Sequence, residues 1–88
     1  MDERTFIIEA KTALIDVYRI LGLEDEPWEA AKGESDTLGG FITEQAGRIL
    51  RNGESLSFQG VDMKVDAATP RKLLRIKLTL PEQHVDDE

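Results

Sequence analysis

Residues 34–47 read Glu34-Ser-Asp-Thr-Leu-Gly-Gly-Phe-Ile-Thr-Glu-Gln-Ala-Gly47, a stretch that opens with helix-capping residues and then sets two glycines in its first turns. Ser35 or Asp36 is the expected N-cap and Gly47 the expected stop, while Leu38, Phe41, Ile42 and Ala46, with Ile49 beyond, form one apolar stripe at helical spacing. Two interior glycines cost a helix about 1.5–2 kcal/mol relative to alanine, so something compensates. One compensation is close packing, because a backbone without Cβ atoms can lie against a neighbour. The other is an anion seat, because N–H groups at a helix start bind phosphate. Asp36 would itself fill the positive end of the helix, and no lysine or nucleotide fingerprint flanks the pair. Close packing is the favoured reading, with Gly40 the position expected to resist alanine.

Upstream, Thr5–Glu9 (TFIIE) is β-branched and aromatic and reads as a short strand with Phe6 and Ile8 on one face. Thr12 then caps a helix whose stripe is Leu14, Val17, Tyr18 and Leu21, closed by Gly22. Leu23–Ser35 is broken by acidic residues, Pro27 and Gly33 and reads as a connecting loop with one helical turn at Trp28–Ala31. Downstream of Asn52-Gly53 the period changes to two. Leu56 and Phe58 alternate with serines, and Gln59-Gly60 makes a tight turn. Val61, Met63, Val65 and Ala67 then alternate with polar residues, and after Thr69–Lys72 so do Leu74, Ile76, Leu78 and Leu80, until Pro81 ends the ladder. The expected fold is α+β and two-layered, β-α-α-β-β-β, with a C-terminal antiparallel meander covered by two helices. Residues 1–4 are expected to be a disordered or added start, 5–80 the domain, and 81–88 an acidic tail expected to be disordered.

The chain has 88 residues and no cysteine, which suits one small core held by packing alone. No apolar run approaches the roughly 20 residues that span a bilayer, so no direct membrane insertion is expected. The net charge of −7 argues against nucleic acid as a partner. The charge is uneven. Residues 1–47 hold eleven acidic and four basic side chains, and residues 48–80 hold three acidic and seven basic. Solvated strand faces account for the basic half more simply than a groove for an anionic ligand, the alternative the pattern leaves open.

Asp36-Thr-Leu-Gly-Gly-Phe-Ile42, Gly47-Arg-Ile49, Gly53-Glu54 and Phe58-Gln-Gly-Val61 fall in the order and spacing of the transporter-associated CorC/HlyC domain, which this chain resembles from about Thr5 to Leu80. The opening strand and the Thr12-Ala-Leu-Ile-Asp-Val17 helix ending in Leu21-Gly-Leu23 are similar to that domain's N-terminal part. The structural signature is thus Asp36, Thr37, Leu38, Gly39, Gly40, Gly47, Gly53, Glu54 and Gly60. Two positions depart from the family pattern: Leu50 stands where proline is usual, and Ala68-Thr-Pro-Arg71 forms the last hairpin tip. The resemblance implies a C-terminal regulatory or interaction domain of a hemolysin-like or magnesium and cobalt efflux membrane protein, on the cytoplasmic face of the membrane behind a transmembrane region and a pair of CBS modules. The chain would then be a soluble piece of a longer protein, with Met1 added or coincidental. It also implies a fold like a subdomain of vanillyl-alcohol-oxidase-type FAD-binding proteins, so FAD enters as a cofactor by fold resemblance only; none is otherwise expected.

Candidate sites are few. Arg48, Arg51, Arg71, Arg75 and Lys77 could meet a pyrophosphate, with Trp28 as a stacking surface, which supports the alternative of a small-ligand sensor for FAD or an adenine nucleotide. Trp28 is more simply a lid over the core. Glu24, Asp25, Glu26 and Glu29 are acidic neighbours without calcium-loop spacing, so metal there is expected to be adventitious. The one histidine, His84, lies in the tail, and no serine pairs with a base, so the chain is read as not an enzyme. An exposed edge at the first or last strand offers a route to a homodimer.

Overall fold

The computed structural model describes residues 4–81, and the elements run β1 (Thr5–Glu9), α1 (Leu14–Leu21), α2 (Asp25–Ala31), α3 (Leu38–Ala46), β2 (Ser55–Phe58), β3 (Val61–Ala68) and β4 (Leu73–Thr79). The four strands form one antiparallel sheet in the order β1-β4-β3-β2. The α+β architecture and the meander are as expected, with two corrections. There are three helices, and β4 lies inside the sheet, so the edges are β1 and β2. The expected irregular ends lie outside the described residues apart from Arg4 and Pro81, as does His84.

The extra helix is α2. Pro27 reads as a breaker in the sequence, yet it is the third residue of the helix, where a missing N–H costs nothing, and Asp25 and Glu26 place negative charge at the same end. The helix drives Trp28 into the centre of the domain, where it is 1% exposed. Its ring packs at 4.9 Å from Phe41, 4.8 Å edge-on from Phe58 and 6.2 Å from Tyr18. Around this aromatic knot, Leu14, Val17, Leu38 and Ile42 from the helices meet Val61, Met63, Val65, Ile76 and Leu78 from the sheet. No hydrophilic side chain is buried among the described residues.

The β2–β3 connection is a two-residue turn with positive φ at Gln59 (53°) and Gly60 (81°), the mirror-image turn whose twist suits a hairpin. Register shifts twice in succession. Between β3 and β4 the pairing runs Val65↔Ile76, Ala67↔Arg75, Ala68↔Leu73, so each strand in turn carries one extra residue. That irregularity turns Leu73 inward and Leu74 outward, reversing the expected side for Leu74.

α1 and α3 are tied together at their starts. Leu14 donates to the Asp36 carbonyl at 2.8 Å and Leu38 to the Thr12 carbonyl at 3.0 Å, a one-pair bridge between Ala13 and Thr37. Gly39 donates to the Ala10 carbonyl at 2.8 Å. The caps differ from expectation accordingly: α1 is led by Ala13 with no side-chain bond, and α3 is capped by Thr37, whose hydroxyl accepts from the Gly40 N–H at 3.1 Å. Ser35 and Asp36 do not cap α3. Gly22 and Gly47 close α1 and α3 as anticipated, and Ile49 lies past the helix, half-buried.

The tight approach belongs to Gly39. A Cβ there would stand 2.9 Å from the Ala10 Cβ and 3.2 Å from its carbonyl oxygen, whereas at Gly40 it would meet only the side chains of Thr37 (3.1 Å) and Ser35 (3.3 Å). The prediction therefore moves by one residue. Gly39→Ala should destabilise by about 1–3 kcal/mol despite alanine's better helix propensity. Gly40→Ala should stay within about 1 kcal/mol of the parent, because flexible side chains can give way. Urea denaturation of both variants checks the order, and a Gly40 variant costing more than the Gly39 variant would refute it.

Candidate functional site

The hydrogen bonds that join α1 to α3 also settle the chemistry of the glycine pair. Of the N–H groups that a helix start leaves without intrahelical partners, Leu38 is taken by Thr12, Gly39 by Ala10 and Gly40 by the Thr37 hydroxyl. An anion approaching the head of α3 would find none of these three backbone N–H groups free to donate to it. Asp36 does not fill that end either: its exposed carboxylate accepts from Lys32 Nζ at 3.2 Å, and its contribution to the helix junction is through its carbonyl.

Most of the candidate cations are spoken for or apart. Arg48 grips Glu54 with both ends of its guanidinium, Nη1 to Oε1 at 3.0 Å and Nη2 to Oε2 at 2.8 Å, and the Arg51 N–H adds a bond to Oε1 at 2.7 Å. Arg75 Nε donates to Asp66 at 3.0 Å. Lys77 stands on the uncovered sheet face directly across from Lys64. Trp28 is sealed in the core and offers no stacking surface. Glu54 is thus a staple for the turn into the sheet.

The acidic candidates do not converge. Glu29 accepts from the Tyr18 hydroxyl at 2.9 Å and lies 3.8 Å from Lys32, and no group of acidic residues among those described could hold a metal ion. Burial, then the bond to Glu29 and its charge, push the Tyr18 phenol well above its usual range.

One concavity of the surface was only partly foreseeable. An open groove of about 1080 Å³ runs between the start of α3 and the β3–β4 turn. Its walls bring together Lys11, Arg71, Lys72 and Arg75, opposed by Glu9 and Glu44, with the hydroxyls of Ser35, Thr37 and Thr43. The sequence singled out Arg71 and Arg75. Lys11 and Lys72 belong to it because Ala10 and Leu73 pack at Gly39, a proximity of segments far apart in the chain. Lys11 lies 3.7 Å from Glu9, and the groove holds a surplus of positive charge over an otherwise acidic protein. Such a surface can hold an anionic group or an acidic segment through charge and hydroxyl bonds.

The Glu54 carboxyl is held down to about 2 from its ordinary 4.5 by the Arg48 guanidinium first and the Arg51 N–H second. A carboxylate with a lowered folded-state pKa adds stability that is present above about 4.5 and lost as pH falls through about 2, since the unfolded chain binds the proton more readily. Thermal midpoints measured from pH 6 to pH 2 should fall more steeply for the parent chain than for Glu54→Gln; parallel curves would show that the staple adds nothing.

Comparison with known proteins agrees with the fold. The model of the CorC_HlyC family, the transporter associated domain, matches residues 1–82. The magnesium and cobalt efflux protein CorC of Vibrio cholerae is 29% identical over 94 residues, covering 100% of this chain and 30% of that protein. The chain therefore spans less than a third of that relative's length. Among solved structures, the transporter associated domain of a CBS domain protein from Porphyromonas gingivalis superposes with a TM-score of 0.81 at 24% identity, covering 93% of this chain and 94% of that one. A Mg2+ and Co2+ transporter (CorC) associated region from Neisseria meningitidis MC58 gives 0.77 at 25% identity, covering 91% and 93%.

Proposed function

The chain belongs to the CorC/HlyC transporter-associated domain family, and from that premise we propose that it is a non-catalytic regulatory domain of a magnesium and cobalt efflux protein, modulating ion transport from the cytoplasmic side. The single observation carrying this reading is the family match over residues 1–82. The V. cholerae relative is 29% identical along this whole chain and carries the efflux name. Transport itself belongs to the remainder of such a protein, because no helix among the described residues is long and apolar enough to cross a membrane.

Modulation then proceeds through contact. The groove with Lys11, Arg71 and Lys72 is the surface best suited to an acidic segment of neighbouring CBS modules, being a concavity where cations outnumber carboxylates.

The test uses the full-length protein in cells lacking their own magnesium and cobalt efflux. Deleting residues 4–81 should change efflux rate, or its dependence on internal magnesium, by at least about fivefold, the low end of ordinary coupling between sites. Arg71→Glu with Lys72→Glu should move it in the same direction. Unchanged efflux in the deletion, at equal membrane abundance, would overturn the modulatory role.

A further inference from the structure

The hydrogen-bond pattern of β1 shows which of its backbone groups the sheet leaves open. Leu80 donates to the Arg4 carbonyl at 2.8 Å, Ala10 donates to the Leu74 carbonyl at 2.9 Å, and the register between them is unbroken from Thr5↔Thr79 to Glu9↔Arg75. Antiparallel pairs alternate between bonded and non-bonded, so Phe6 and Ile8 bond to β4 while Thr5, Ile7 and Glu9 turn their N–H and C=O groups to the outer edge. The Glu9 carbonyl is already engaged by the Thr12 N–H at 3.1 Å; the other edge groups of these three residues have no backbone partner among the described residues. Natural edges are blunted by proline, bulges or central charge. β1 has none of these, its one charged residue, Glu9, is at its end, and Ile7 at its centre is 56% exposed.

We propose that β1 is a self-association edge, pairing antiparallel with β1 of a second copy about a two-fold axis through Ile7, so that two four-stranded sheets become one continuous sheet. In this register Ile7 exchanges both backbone bonds with the second copy's Ile7, and the Glu9 N–H donates to the second copy's Thr5 carbonyl. Phe6 then faces the second copy's Ile8 on the helix-covered side, and Ile7 meets Ile7 on the uncovered side. Thr5 faces Glu9, so no like charges are opposed. The other edge, β2, fits a partner less well: it is four residues long and directs only Ser55 and Ser57 outward, with no apolar side chain on the uncovered face. A pairing of β1 with β2 would be head-to-tail and would not close.

Each copy carries a net charge of −7, so a contact built from backbone bonds and isoleucines should strengthen as salt rises, opposite to one built from ion pairs. Sedimentation of the 88-residue chain over a concentration series should show a reversible dimer. Ile7→Lys should raise the dissociation constant at least about tenfold. Ile20→Lys, which charges an equally exposed isoleucine on α1, should leave it unchanged. The chain has no cysteine, and Cα atoms of a bonded pair stand about 5.5 Å apart, within disulfide reach. Ile7→Cys should therefore cross-link under mild oxidation and Ser57→Cys should not.

A monomer at millimolar concentration, a dimer indifferent to both Ile7→Lys and Ile7→Pro, or growth beyond dimers would each overturn the proposal. Should the lysine variant fail to fold, concentration-dependent amide exchange at Ile7 in the unsubstituted chain decides the question. A monomeric result leaves the transport-associated reading intact, so the two fail separately.

Discussion

Gly39 donates its N–H to the Ala10 carbonyl at 2.8 Å, and around this bond the turn after β1 and the start of α3 come closer than any side chain at position 39 would permit. Much else follows from that proximity. It places α3 over the sheet, brings Leu73 of β4 within 3.6 Å of where a Cβ would sit, and lets the bridge at Ala13 and Thr37 fix the start of α1 against that of α3. It also consumes the donors at the head of α3. A helix start that would ordinarily attract an anion is here a structural joint, and the charge that could attract one has moved to lysines and arginines along the groove beside it.

The strands, α1 and α3 were legible because their apolar periods run unbroken up to the β3–β4 bulges, and Gly22, Gly47 and Gln59-Gly60 mark ends and turns by local chemistry alone. What escaped was decided by position within an element or by contacts between distant segments. Pro27 was misleading because its effect depends on which residue of a helix it occupies. Leu73 and Leu74 are adjacent and equally apolar, and only the paired bulges tell which faces the core. Whether Gly39 or Gly40 makes the close approach depends on Ala10, some thirty positions away in the chain. The groove was half visible for the same reason: Arg71 and Arg75 stand in the basic half of the sequence, whereas Lys11 reaches them only through the fold.

Charge and layer coincide in this domain. Among the described residues, the helices and their connections carry most of the carboxylates, and the sheet with the turns leading into and through it carries most of the cations, including the opposed Lys64 and Lys77 on the uncovered face. The cross-strand lysines repel one another, a local cost to the sheet. The Arg48–Glu54 and Arg75–Asp66 pairs are exposed and serve geometry more than stability, fixing the entry to the meander and the bulged part of β3.

Burial of the lone tryptophan gives the domain an internal optical gauge. Trp28 sits among Tyr18, Phe41 and Phe58 and does not line the groove, so its emission reports whether the aromatic knot is closed and is blind to what occupies the basic walls. A constant spectrum during titration with a candidate ligand is therefore as compatible with a filled groove as with an empty one. A red shift means that water has reached the knot and the layers have parted, which makes this one indole a selective probe of the joint between helices and sheet.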